Sequence, residues 1–266
     1  MIEIILFVLA VLVLYFILHK ITKSLIIFKL AFRVVSVIIV LFIAVIIVTG
    51  ILILSDANDF RTRFPGSTNL FLLEENNTML SAISMNNTDS KPIDILDKQK
   101  LKSIEDDYNH NRMSSLSQGY YKVFLIKIEA FDDLSFTTIT DKNINLDKAQ
   151  VMLILQSSNA RNDLLNIINK DNSAIEQSEA DKMLKMDDEQ IKGYLFSYAL
   201  TYFFDPKNTD SFLIELKNQR ITVIPETPMF KAIRIVPNFL ISNYVKNKAT
   251  NITQNMPLFS NITSIV

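Results

Sequence analysis

The chain of 266 residues contains no cysteine. That absence excludes disulfides, thiolate metal sites and cysteine nucleophiles together, and it leaves the compartment open because exported proteins also dispense with cysteine. Tryptophan is missing too, and there are only four glycines and two histidines. Histidine is the usual acid, base and metal ligand near neutral pH. Here His19 borders an apolar run and His110 lies in the polar string Asn109-His110-Asn111-Arg112, the setting of a solvated loop residue. Neither supports a histidine-based hydrolase or a zinc enzyme. The strings of a nucleophile elbow, a phosphate loop, a dinucleotide fingerprint and a His-Glu-x-x-His metalloprotease helix are all lacking. An excess of positive charge is lacking as well. The first 54 residues hold Lys20, Lys23, Lys29 and Arg33 against Glu3, which leaves 23 basic and 27 acidic residues beyond Leu54, a net of −4. Nucleic-acid phosphates require a basic face, so no nucleic-acid partner is expected.

What the chain has in abundance is apolar sequence at its N-terminus. Val34 to Leu54 is 21 residues without a charge. As a helix rising about 1.5 Å per residue, it covers the roughly 30 Å hydrocarbon layer of a bilayer. A second run, Ile2 to Leu18, is broken only by Glu3 and lacks both the basic start and the small-residue cleavage site of a secretory leader. It reads as a retained, short transmembrane helix. The expected anchor is therefore a two-helix hairpin over 1–54, with spans at 2–18 and 34–54 and a basic connector at 19–33. Basic loops resist translocation, so the connector is expected on the cytoplasmic side and the remainder of the chain on the extracytoplasmic side.

Residues 55–68 read as a polar linker ending in the Pro65-Gly66 turn. From 69 to 245 the pattern predicts one extracytoplasmic α+β domain with an antiparallel sheet of about five strands and helices on one side. Two apolar runs around Glu74-Glu75-Asn76-Asn77-Thr78 predict a β-hairpin over 69–84. A helix is expected from Ser103 to Ser115, and Tyr120 to Phe131 is the strongest strand, expected at the centre of the sheet. Asp147 is expected to cap a helix over 148–156, with another over 160–168. Asp187 or Asp188 starts a third, whose stripe is Ile191, Tyr194, Leu195, Tyr198 and Tyr202. Phe212–Lys217 and Arg220–Pro225, joined by Asn218-Gln219, predict a second hairpin. Thr227-Pro228 opens a helix that Pro237 should kink. Residues 246–266 read as a polar, poorly ordered tail.

Few constellations suggest chemistry. Asp141, Asn143, Asn145 and Asp147 alternate like the first half of a calcium loop, but the sixth position is Leu146 and the twelfth Met152, where Gly and Glu belong. The pairs Asp106-Asp107, Asp132-Asp133 and Asp187-Asp188 fit helix starts and strand ends better than a glycosidase cleft. No catalytic, cofactor-binding or metal-binding residue is therefore assigned. Glycosylation sequons occur at Asn76, Asn86, Asn251 and Asn261, close to the number chance gives in a chain with 23 asparagines. The run Met229 to Val245 mixes Phe230, Ile233, Val236, Phe239 and Leu240 with Lys231 and Arg234, a composition compatible with lying on a membrane surface. These features predict a membrane-anchored interaction or assembly module that binds a protein partner. The alternative is an accessory subunit of a channel, transporter or membrane enzyme, and an enzyme is the least favoured class.

Overall fold

The computed structural model describes residues 11–15, 17, 19–20, 26–86, 93–132, 138–141, 144–170, 185–204 and 209–237. The chain divides into two units, Met1–Ala57 and Asn58–Val266. Helix α1, Ile26–Arg63, begins in the first and ends in the second. The stretch Phe32–Gly66 is long and apolar enough to cross a membrane; its most apolar window has a mean hydropathy of 3.5, and none of that window is buried. Much of the expected first span and connector lies outside the described residues. The described part of the first run is helical, and Tyr15 sets its ring 5.0 Å from that of Phe32.

Both ends of α1 depart from expectation. It starts eight residues before Val34, absorbing Lys29 and Arg33, because Ile26 to Arg33 contains no helix breaker. At the other end the expected linker is helical through Arg63, since no Gly or Pro interrupts Ser55 to Arg63. Pro65 then imposes a 3₁₀ turn at Phe64–Gly66.

The first predicted hairpin is present as β1 (Asn69–Glu75) and β2 (Thr78–Met85). Its turn residues Asn76 and Asn77 have φ of 51° and 66°, the left-handed pair that a two-residue turn matched to strand twist requires. The Glu74 carboxylate accepts the Asn77 amide at 2.8 Å and closes the turn. Next come β3 (Ile93–Ile95), α2 (Lys98–Asn109), the short α3 (Met113–Leu116) and β4 (Lys122–Lys127). Helix α2 starts five residues before Ser103, because Asp97 already caps it by accepting the Lys100 amide at 2.9 Å. After β4 the chain turns as a 3₁₀ helix over Ile128–Phe131, so the strand is shorter than expected.

With β7 (Ile221–Ile224), these strands form a five-stranded sheet in the order β3-β2-β1-β4-β7. It is mixed rather than antiparallel, because β1 and β4 run parallel, pairing Leu70 with Val123 and Phe71 with Phe124. β1 is the middle strand and β4 its neighbour. The physical reason is visible in both: Leu70 to Leu73 and Val123 to Ile126 are apolar at consecutive positions, as strands covered on both faces must be. Helices accordingly lie on both faces, not one. Phe71, Leu73, Phe124 and Ile126 belong to a large core that includes residues of the later helices, whereas Leu70, Leu72, Val123 and Leu125 pack with Leu101 and Ile104 of α2.

The later helices are α4 (Lys148–Gln156), α5 (Ala160–Lys170), α6 (Asp188–Phe204), α7 (Thr209–Lys217) and α8 (Pro228–Ile235). Before them, β5 (Thr138–Asp141) and β6 (Ile144–Asp147) make a separate two-stranded ribbon where the calcium-like spacing lies. Asp187 caps α6, accepting the Gln190 amide at 2.8 Å. The buried face of α6 is Ile191, Leu195, Phe196, Ala199, Leu200 and Phe203, while Tyr194, Tyr198 and Tyr202 of the predicted stripe sit half-buried at its margin. Tyrosine ends in a hydroxyl that favours a wet boundary, so the wholly apolar side chains take the interior.

The second predicted hairpin is corrected. Phe212–Lys217 lies in α7, and Asn218-Gln219 ends that helix. Gln219 is left-handed at φ 60°, its amide bonds to Leu216 O, and the Arg220 amide bonds to Glu215 O, the paired bonds of a Schellman stop. A helix stop and a hairpin turn both need one residue at positive φ, which is why the dipeptide misled. Helix α8 then begins at Pro228 after Thr227, as expected, although the Thr227 hydroxyl makes no cap hydrogen bond. It ends at Ile235 rather than kinking, because the residue before Pro237 is driven to an extended backbone.

Candidate functional site

A concavity lies between α4 and α5. Asp147 and Gln150 form a reciprocal capping box, each backbone amide donating to the other's side chain at 2.8 Å, which fixes the start of α4. Val151, Ile154 and Leu155 turn into the core with no exposure, so Leu153 is forced onto the opposite surface, where it is 53 % exposed. A three-residue connection follows, in which Ser157 Oγ accepts the Asn159 amide at 2.8 Å, and α5 returns with Ala160 and Leu164 facing inward. Between the two helices is a groove of about 380 Å³ lined by the apolar Ala149, Leu153 and Ile167 and the polar Asp147, Gln150, Asp163 and Asn166. Two carboxylates beside apolar side chains suit an apolar group flanked by a cation. The sequence placed Asp147 and the helices correctly; only the packing of α5 beside α4 brings Asp163 into one lining with Asp147.

A second polar group sits at the C-terminal end of β1. Glu75 accepts from Gln156 Nε2 at 2.5 Å, and Asp188 accepts the Arg161 amide at 2.8 Å, tying the hairpin, α4, α5 and α6 together. Burial pulls the pKa of half-buried Lys192 below its usual value, and the carboxylates of Asp188, Glu189 and Glu75 act in the opposite direction. On the other face Glu74 is buried, and one of its carboxylate oxygens has no hydrogen-bond partner. Tyr108 has its pKa raised, first by burial and then by the charge of Glu74.

A third group gathers where α1 ends in the second unit. Phe60 stacks on Phe64 at 4.7 Å and meets Phe230 edge-on at 5.4 Å. Tyr121 donates its hydroxyl to Asp59 at 2.9 Å, and the Arg63 guanidinium lies 4.8 Å over the Tyr121 ring. Lys122, only 3 % exposed, donates to Pro225 O at 3.2 Å and lies near the faces of Tyr121 and Phe230. In the sequence Lys122 is a basic residue inside the predicted strand Tyr120 to Phe131. The signal for its burial was its parity with Phe124 and Ile126, which face the large core.

The residues singled out by sequence are scattered. Asn76 is exposed at the hairpin tip, and Asn86 is half-buried with its amide donating to Thr68 Oγ1 at 3.1 Å. Asn251 and Asn261, together with the tail, lie outside the described residues, as do Phe239 and Leu240. Phe230 is corrected: it is 4 % exposed within the large core and has no surface to offer a membrane. Ile233 packs partly on the same core and Val236 is half-buried, while Ile235, not singled out, is 82 % exposed. His110 is on the surface beside Asp106, and Arg112 ties Asp106 and Asp107 together. Among the described residues no three His, Asp or Glu side chains gather as metal ligands do. No family model, curated protein or solved structure matches the chain.

Proposed function

We propose that this chain is a membrane-anchored interaction module whose α+β domain stands on the extracytoplasmic side and docks a protein partner through the α4–α5 groove. The observation that carries the reading is the bareness of α1. Thirteen large apolar side chains between Val34 and Leu54 are each 49–67 % exposed. Soluble proteins rarely leave contiguous apolar patches above about 400 Å² in water, and lipid is the solvent such a helix suits. The basic residues Lys20, Lys23, Lys29 and Arg33 give the orientation. In this reading the first run, 2–18, is the second arm of the anchor.

The chain has no cysteine, so single cysteines report cleanly. In intact cells an impermeant maleimide is expected to label Leu153→Cys and to leave Ser24→Cys untouched until the membrane is opened. The reverse pattern rejects the orientation. A photo-crosslinking residue at Leu153 is expected to yield one discrete protein adduct that weakens in Asp147→Asn/Asp163→Asn, where the cap survives but the acidic rim is neutralised. An adduct indifferent to those changes rejects the groove.

A further inference from the structure

We infer that one flank of the anchor, at the end that carries its basic connector, binds the headgroup of an anionic phospholipid between Lys20 of the first apolar run and Arg33 of α1; the inference rests on the anchored reading above. Both segments belong to the first unit of the chain. The Tyr15 and Ser36 hydroxyl oxygens lie 3.4 Å apart, and the Tyr15 ring is 5.0 Å from that of Phe32. One turn further along the first run, the His19 ring stacks on Tyr15 at 6.2 Å and comes within 5.3 Å of Phe32. Later positions of the first run thus meet earlier positions of α1, so the two helices run antiparallel here. Lys20 and Arg33, both exposed, each follow a contacting residue by one position, about 100° further around a helix of 3.6 residues per turn. Because the helices run in opposite directions, that step carries both residues to the same flank. They start about 3 Å apart in height on axes about 8–10 Å apart, a spacing that long side chains close around one phosphate group.

Depth and charge select the occupant. Arg33 directly precedes the 21 uncharged residues that fill the hydrocarbon layer, so its guanidinium sits at the level of the lipid phosphates. Lys20 is level with it through the contact of His19 with Phe32. From Ile4 to Ser55 the chain has four cations, Lys20, Lys23, Lys29 and Arg33, and no acidic residue to neutralise them. A lipid phosphate is the counter-ion that this depth supplies, and basic sites between transmembrane helices take anionic headgroups in this way. The paired N–H donors of Arg33 match phosphate oxygens, while the rings of Tyr15, His19 and Phe32 hold the two helices at a fixed spacing. Ile17, 52 % exposed and three residues before Lys20 on the same flank, offers apolar surface to the acyl chain.

The test uses the full chain in vesicles of equal parts phosphatidylglycerol and phosphatidylcholine, with one lipid or the other brominated on its acyl chains as a contact quencher. The chain has no tryptophan, so Ile17→Trp or Val45→Trp, at two exposed positions, supplies the sole indole. Ile17→Trp is expected to be quenched about twofold more by brominated phosphatidylglycerol than by brominated phosphatidylcholine, and Val45→Trp equally by either. Adding Lys20→Gln/Arg33→Gln is expected to remove the excess at position 17. If the two lipids quench Ile17→Trp equally while Val45→Trp is quenched, the headgroup site is wrong and the anchor stands. An excess that survives Lys20→Gln/Arg33→Gln also overturns the site, since general attraction to the basic segment then suffices. If millimolar inorganic phosphate at constant ionic strength abolishes the excess, the flank takes free phosphate and the lipid assignment fails. If neither lipid quenches Val45→Trp, the anchored reading falls and this inference with it.

Discussion

Gly193 of α6 lies against Ile95 of strand β3, and a single methyl group there should read out their packing. A Cβ built at Gly193 would lie 2.3 Å from Ile95 Cγ2, 2.9 Å from Cγ1 and 3.1 Å from Cβ. Carbon atoms rest about 3.5–4.0 Å apart, and rotating the Ile95 side chain exchanges its two branches without moving its Cβ. The clash therefore needs a shift of backbone, with a cost in the upper part of the about 1–3 kcal/mol seen for overpacked cores. Against it stands the gain of about 1 kcal/mol when alanine replaces glycine in a helix interior. The balance is a loss of about 1–2 kcal/mol for Gly193→Ala. For a domain of this size that lowers the melting temperature by about 2–8 °C. Circular dichroism of the full chain in detergent measures it. In an Ile95→Gly background all three obstructing carbons are gone, only the helix gain remains, and Gly193→Ala should raise the melting temperature. The sign thus inverts between the two backgrounds. A rise in both would show that β3 does not press on α6, and the argument for close approach would be wrong.

Arg220→Leu should destabilise by about 2–4 kcal/mol, because Arg220 lies 3.3 Å from the Glu215 carboxylate, which is 2 % exposed, and the change leaves a buried charge behind; adding Glu215→Gln should recover part of the loss in denaturant titrations. Asn77→Val should cost about 1–2 kcal/mol since φ of 66° opposes a β-branched side chain, whereas Asn77→Gly should stay within about 0.5 kcal/mol of the parent. The hydrogen bond from Arg112 holds the Asp106 carboxyl below its usual pKa. A depressed folded-state pKa stabilises above the unfolded value, so the deficit of Arg112→Ala should be constant above about pH 4 and shrink as pH falls through the folded value of Asp106. A deficit that persists into strong acid would contradict that linkage.

Much of the local structure was legible because it depends on neighbours in sequence. Asp147 and Asp187 announced their helices, Asn76-Asn77 announced a hairpin, and an uncharged stretch of 21 residues announced a helix that no interior buries. The errors share one cause. Asn218-Gln219 satisfies the backbone demand of either a hairpin turn or a helix stop, and only the contacts of Phe212 and Leu216 with the large core choose the stop. Apolar residues at consecutive positions in β1 and β4 signalled covering on both faces, but a pattern of that kind does not state the direction of the neighbouring strand.

The candidate groove was legible in its parts and not in its assembly. Asp147, Leu153 and Asp163 each had a readable local role, yet they line one concavity only because α5 folds back beside α4. Lys122 and Glu215 became buried charged residues for the same reason, since their partners Pro225 and Arg220 are supplied by the tertiary fold or by a helix stop.

What the amino-acid order alone determined is the apolar α1, the positions of the caps and turns, and the α+β class, because each follows from interactions within a few residues and from the solvent each segment prefers. The parallel pairing of β1 with β4, helices on both faces and the outward turn of Ile235 were decided by tertiary structure. They depend on which distant segments compete successfully for the same apolar surface, a choice that local periodicity does not contain.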